Sequence, residues 1–142
     1  MPETTADEYR DFLPEGTRTA KLATVRRGGH PHVAPIWFLL DGERVIFTTA
    51  RDTVKGHAIR RDGRVSLCVD DEPPPFAFAW IEGTTSTSED TDDLLHWATR
   101  IAARYVGGEQ AEAFGRRNAV PGEMLVRVGP GKTVTENDVV GW

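Results

Sequence analysis

A single cysteine, Cys68, stands among 142 residues. That scarcity excludes an internal disulfide framework and any paired-cysteine zinc or redox motif. Long apolar runs are missing too: the longest, residues 33–40, is broken by Pro35, far short of the roughly 20 residues a membrane-spanning helix needs. The opening lacks the basic and then apolar pattern of a secretory leader, since residues 1–17 set five acids against Arg10. Lysine is scarce, three beside fourteen arginines, and acids outnumber bases 22 to 17 for a net charge of −5. An acidic chain lacks the basic surface that phosphate backbones require, which argues against nucleic-acid binding. No GxSxG, HExxH or Walker-type loop occurs, removing the simplest hydrolase and nucleotide-hydrolysis readings. The expectation is a cytoplasmic, soluble, single domain over residues 1–142, with no membrane or nucleic-acid partner. Its four Trp, six Phe and 39% hydrophobic content supply a core.

The charge that is present is segregated. Residues 18–64 carry ten basic and four acidic residues, +6, whereas residues 70–93 hold eight acids and no base. A basic block inside an acidic chain fits a small anionic ligand or a solvated arginine face, and both stay open at this point.

Residues 1–15 read as a helical or flexible lead, and residues 16–130 as a barrel core with flanking helices. Residues 19–25 alternate as a strand before the Arg26-Arg27-Gly28-Gly29 turn, and residues 31–41 read as one long apolar strand. Asp41-Gly42 is a hairpin dipeptide leading into residues 43–49. Asp52 or Thr53 can cap a helix running to Arg61, followed by a strand over 64–70. Pro73-Pro74-Pro75 forces an extended connection to a fifth strand over 76–81, extending to about residue 87. Thr91 is placed to cap a helix through Val106 with Leu94, Ala98, Ile101, Ala102 and Tyr105 on one face. A short helix over 109–114, a sixth strand over 124–128 and a Gly129-Pro130-Gly131 turn complete the chain. Six strands with few helices predict a mainly β (α+β) antiparallel barrel, which leaves few edges exposed.

Two stretches could carry chemistry. At the strand-to-helix corner, Thr48, Thr49, Arg51, Thr53 and Lys55 combine hydroxyls and cations with the free N–H groups of a helix start, the elements of a phosphate cradle. The same residues also suit a solvated helix start. On the second strand, Pro35 removes a ladder donor and could open the backbone to a flat ligand, or could mark an ordinary bulge. His30 and His32 share a strand face without a third ligand nearby, so no metal site is expected. His57 and His96 read as surface helix residues, Trp97 as packing, Cys68 as a half-buried strand residue, and the acids of residues 82–93 as a solvated turn.

Taken in order, these pieces resemble the pyridoxamine-phosphate-oxidase-like split β-barrel family of FMN-binding type, and within it the small deazaflavin (coenzyme F420) dependent branch. Gly29 to Phe38 follows that branch's G-x-P-x-x-x-P-x-W-F strand, and Phe47-Thr48-Thr49 with Lys55 follows its phosphate corner. Residues 59–67 follow its L-R-R-D-P-R-V-S-L run with Gly63 in place of the proline, and Ile81-Glu82-Gly83 and Arg104-Tyr105-Val106-Gly107 follow its E-G and R-Y-x-G motifs. The likeness spans about residues 16–130.

The resemblance implies an oxidoreductase that transfers a hydride from reduced coenzyme F420 to a conjugated small-molecule acceptor. FMN is the alternative cofactor, and a non-catalytic flavin or deazaflavin binding protein the alternative role. The phosphate would meet Thr48, Thr49, Thr53 and Lys55, with Arg51, and the ring would lie on Val33, Pro35, Ile36 and Trp37. Arg26, Arg27, Arg60 and Arg61 would face the oligoglutamate tail, and loops 70–76 and 107–122 would shape the acceptor pocket. A homodimer with cofactor sites at its interface is also implied; no catalytic proton donor is legible. Thr53-Val54-Lys55 departs from the Ser-Arg-Lys of the FMN oxidases. The end at Trp142, without their C-terminal Trp/Arg/His segment, counts against vitamin B6 oxidation.

Overall fold

The structure is a computed structural model that describes residues 6–141; residues 1–5 of the expected lead lie outside it. Its elements are α1 (Ala6–Phe12), β1 (Ala20–Val25), β2 (Pro31–Ile36), β3 (Leu39–Asp41), β4 (Arg44–Ala50), α2 (Val54–Arg61), β5 (Arg64–Asp70), β6 (Phe78–Ser88), α3 (Thr91–Val106), α4 (Gly108–Asn118) and β7 (Glu123–Glu136). The strands form one seven-stranded sheet in the order β2-β1-β5-β6-β7-β4-β3, and each neighbouring pair is antiparallel. The architecture is mainly β with four helices, consistent with a split barrel.

The count of seven corrects the expected six. The single strand expected over residues 31–41 is two strands, β2 and β3, which occupy opposite edges of the sheet. Only Trp37 and Phe38 separate them, so Ile36 and Leu39 lie at most roughly 11 Å apart along the chain. The sheet must curl until its two edges adjoin there. Phe38 is fully buried at this seam, in one cluster with Leu22, Phe47, Leu67, Ile81 and Val126. Period-2 alternation builds that interior: Ala20 and Leu22 of β1, Val65, Leu67 and Val69 of β5, and Val126 and Val128 of β7 all point inward.

A second cluster lies outside the sheet, where Leu94, Trp97 and Ile101 of α3 cover Ile46 of β4 and Leu125 of β7. Trp97 is therefore packing, as its place on the apolar helix face suggests. The helix begins one residue earlier than expected: Asp90, not Thr91, is its cap and accepts from the Asp93 N–H at 2.9 Å.

Two turns also move. Asp41 pairs with Arg44, so the hairpin turn is Gly42-Glu43, with Gly42 at φ +61°. Gly129-Pro130-Gly131 lies inside β7, which continues to Glu136. There Gly83 faces Pro130 while Glu82 faces Lys132, leaving Gly131 as the extra residue of a β-bulge; a bulge tolerates proline's missing donor. Gly83 is required at this crossing, since a Cβ would stand 2.6 Å from the Gly129 carbonyl oxygen.

Helix α1 is pinned by Tyr9, which is buried and donates its hydroxyl to the Glu43 carbonyl at 2.8 Å. Burial, reinforced by Glu43 and opposed by Arg10, pushes the phenol up from 10 to about 12. The folded state thus holds this proton more tightly than the unfolded chain, and the stabilisation is complete below pH 10 and lost as pH rises toward 12. Two units correspond to at most about 2–3 kcal/mol, reduced by solvent screening. Urea titrations at pH 9 and 11.5 are expected to show that decline in the wild type and a flatter profile in Tyr9→Phe; parallel profiles would sink the assignment.

Candidate functional site

The corner between β4 and α2 is built by its hydroxyls. Thr53 caps α2: its Oγ1 accepts from the Gly56 N–H at 3.0 Å and donates to the Ala50 carbonyl at 2.7 Å. Thr49 is buried, and its hydroxyl meets that of Thr53 at 3.1 Å. These two threonines shape the corner from within. Gly56 lets the helix press against it, because a Cβ there would come within 2.3 Å of the Ala50 carbonyl oxygen. The amides of Val54 and Lys55, at the first two helical positions, have no intrahelical acceptor, so they add partial positive charge to the Lys55 ammonium.

A cleft of about 300 Å³ opens beside this corner, lined by Pro35, Ile36, Trp37, Thr48 and Lys55 and by residues of α3 and α4. Five of the nine residues expected to hold a cofactor thus border one cavity. Val33 projects into solvent, 65% exposed, and Arg51 pairs with Glu89 at 3.0 Å; neither lines the cleft, nor do Thr49 and Thr53. Lys55 has no ion pair or hydrogen bond among the described residues.

Sequence reasoning missed the opposite wall. Ala98, Ile101 and Ala102 of α3 and Phe114 and Asn118 of α4 complete the cleft. The 3.6-residue periodicity identified the first three as an apolar face, but one helix face can serve both packing and a pocket. The expected loop 107–122 is largely helix α4, longer than the segment 109–114 read from sequence. Loop 70–76 lies elsewhere: Asp71 and Pro75 border a separate depression with Phe12 and Arg18.

Trp37 forms the aromatic side of the cleft. Its ring stacks on Tyr105 at 4.9 Å with 5° between planes, and Phe114 approaches at 6.3 Å. Tyr105 in turn donates to the Arg18 carbonyl at 2.7 Å and accepts from the Phe38 N–H at 3.2 Å. Burial pushes its phenol above the ordinary value, against the opposing effects of the Phe38 backbone bond and Arg104, so it remains a donor. Arg104 bonds the carbonyls of Phe38 at 2.7 Å, Leu13 at 3.0 Å and Gly16 at 3.1 Å. The pair Arg104-Tyr105 therefore satisfies backbone that the break between β2 and β3 leaves without a ladder partner.

Glu123 was also missed. It opens β7 opposite Ala50, and its carboxyl is pushed up by burial and pulled back by the nearby Lys55. A second depression of about 540 Å³ is lined by Arg27, His57, Arg60 and Arg61. Three of the four arginines assigned to an acidic tail meet there, Arg26 does not, and His57 joins them. Among the described residues no three His, Cys, Asp or Glu side chains converge as metal ligands, and no helix is long and apolar enough to cross a membrane.

The family profile of pyridoxamine 5'-phosphate oxidase matches residues 5–126. No curated protein matches the chain by sequence. Among solved structures, a conserved hypothetical protein from Mycobacterium tuberculosis superposes with a TM-score of 0.81 at 23% identity, over 96% of this chain and 86% of that one. An F420 reductase superposes at 0.71 and 24% identity, covering 94% and 98%. The heme storage protein from Vibrio cholerae superposes at 0.74 and 16% identity, covering 95% and 97%. At these identities the superpositions establish a shared fold.

Proposed function

The chain belongs to the pyridoxamine 5'-phosphate oxidase family, and on that premise we propose that it is a coenzyme F420-dependent oxidoreductase that reduces a conjugated small-molecule acceptor. One observation carries the reading: a single cleft joins Lys55, a cation without an ion pair among the described residues, to Pro35, Ile36 and the Trp37 ring. A phosphorylated planar cofactor needs both features at once.

The residues present fit such a cofactor. Lys55 and the first-turn amides of α2 would bind its phosphate through charge-assisted hydrogen bonds. Pro35, Ile36 and Trp37 would hold the ring, while Ala98, Ile101 and Ala102 would exclude water from the opposite side. When bound, the reduced deazaflavin supplies the hydride, and its ring carbon in place of flavin N5 disfavours one-electron and oxygen chemistry. Arg27, Arg60 and Arg61 border the depression that would receive an acidic tail. Val25 and Val33, 51% and 65% exposed on neighbouring strands, support a homodimer that covers this face and completes the site.

Fluorescence titration of the purified protein with coenzyme F420 and with FMN tests the proposal, alongside light scattering. Tighter binding of coenzyme F420, oxidation of its reduced form by enone or quinone acceptors, and twice the monomer mass are the expected results. Clearly tighter binding of FMN would transfer the reading to a flavin oxidoreductase. Saturable binding without turnover across acceptors would leave a carrier.

A further inference from the structure

We propose that Glu123 makes the anion corner select a singly charged phosphodiester over a doubly charged phosphomonoester. This rests on the cofactor reading above and deepens it. The phosphate of coenzyme F420 continues into its acidic tail, so it is esterified on both sides and carries one charge. FMN ends in a monoester, which carries about −1.5 to −2 at pH 7.

The placement of Glu123 follows from backbone register. It pairs with Ala50, the last residue of β4 before the corner, while Thr48 pairs with Leu125. The Arg51 N–H donates to the Gly122 carbonyl at 2.8 Å, which fixes the start of β7 against the turn. Opposed residues of a pleated pair share a face, as do residues two apart. Glu123 therefore rises on the same face as Thr48, a lining residue of the cleft.

Its carboxylate is half-buried and has no hydrogen bond or ion pair among the described residues. Lys55 lies close enough to pull on its proton, yet no ion pair closes between them. Two further cations near the corner are ion-paired, Arg51 with Glu89 at 3.0 Å and Arg127 with Asp93 at 2.8 Å, while Asp52 is an exposed acid in the turn before Thr53. Val54, between Thr53 and Lys55, adds no charge. An incoming phosphate at this corner thus comes near one cation, Lys55, and two carboxylates, Glu123 on the Thr48 face and Asp52 in the turn, none of them in an ion pair among the described residues. A second negative charge on the ligand gains from Lys55 but is opposed by Glu123, and among the described residues the corner's other cation, Arg51, is engaged by Glu89.

The charge-removing, nearly isosteric Glu123→Gln tests this, with coenzyme F420, FMN and uncharged riboflavin as probes. Removal of one like charge is expected to raise affinity for coenzyme F420 about fivefold and for FMN about 25-fold, because the doubly charged group feels it twice. Riboflavin affinity should stay unchanged, and Glu123→Lys should extend the trend further toward FMN. A constant FMN-to-F420 ratio in both variants would overturn the proposal, as would riboflavin tightening as much as FMN. Failure of coenzyme F420 to bind the wild type would instead remove the cofactor reading, and a widened gap between FMN and riboflavin in the variants would still support charge selection by Glu123.

Discussion

Lys55→Ala is expected to weaken coenzyme F420 binding about 10- to 150-fold, the equivalent of one charge-assisted hydrogen bond of about 1.5–3 kcal/mol. The protein itself should not lose stability. Lys55 sits in the first turn of α2, where a cation opposes the helix dipole by about 0.3–1 kcal/mol, and it makes no ion pair among the described residues. A cation that costs the fold a little and borders a cleft is placed to bind an anion there. Lys55→Arg keeps the charge and should recover most of the affinity, whereas Lys55→Met should not. Titration of the three variants beside their thermal melts separates the cases. Unchanged affinity in Lys55→Ala would move the anion end of the ligand away from this corner.

Arg104→Ala is expected to cost about 3–5 kcal/mol and to lower the melting temperature by roughly 10 °C. The guanidinium bonds three carbonyls from two separate stretches, Leu13 and Gly16 before β1 and Phe38 at the seam. Loss of the side chain takes the Arg104 bond from the Leu13 oxygen and leaves the Phe38 oxygen only the long 3.5 Å contact from the Tyr105 hydroxyl, at about 1–3 kcal/mol each, and removes the cation above the Phe38 ring at 4.6 Å. Arg104→Lys should rescue little, since an ammonium cannot reproduce the planar fork that reaches three acceptors. A loss below about 1 kcal/mol by urea titration would mean that water replaces the arginine at the seam. Tyr105→Phe provides the matching control: it keeps the ring stacked on Trp37 and removes only the hydroxyl held by Arg18 and Phe38.

What could be read in advance follows from the range of the forces involved. The alternation in β1 and β5 is local, and local patterns were sufficient to place those strands and to narrow the cap of α2 to Asp52 or Thr53, of which Thr53 is the one. The break at Trp37–Phe38 is not local: its cause is Arg104 and Tyr105, more than sixty positions away, and the apolar run on either side looks continuous. The bulge at Gly129-Pro130-Gly131 was mistaken for a turn because the same residues suit both, and only the partner strand at Gly83 decides. At the site, Lys55 stood out as a cation in the first turn of a helix, whereas Trp37 entered through the strand motif of the resembled family. Glu123 did not, because nothing in its sequence neighbourhood marks it; sheet register alone brings it to Ala50. Phe114 and Asn118 were hidden for a related reason, since they enter the cleft through the packing of α4 on α3.

The two-residue crossing between β2 and β3 has a kinetic and metabolic consequence. The edge strands are joined by two residues, but the ring of the sheet is complete only when β4 pairs β7, a pairing such as Thr49 with Met124 that spans more than seventy residues. Pairings of this separation place folding in the slow range, roughly milliseconds to seconds. The cleft takes Trp37 from the crossing and Thr48 from β4, so it is complete only when that ring is. A ligand that binds only the closed form adds RT ln(1 + [L]/Kd) to stability, about 2.7 kcal/mol at a hundred times Kd. A ligand bound there as proposed would therefore tie the protein's resistance to unfolding to ligand supply.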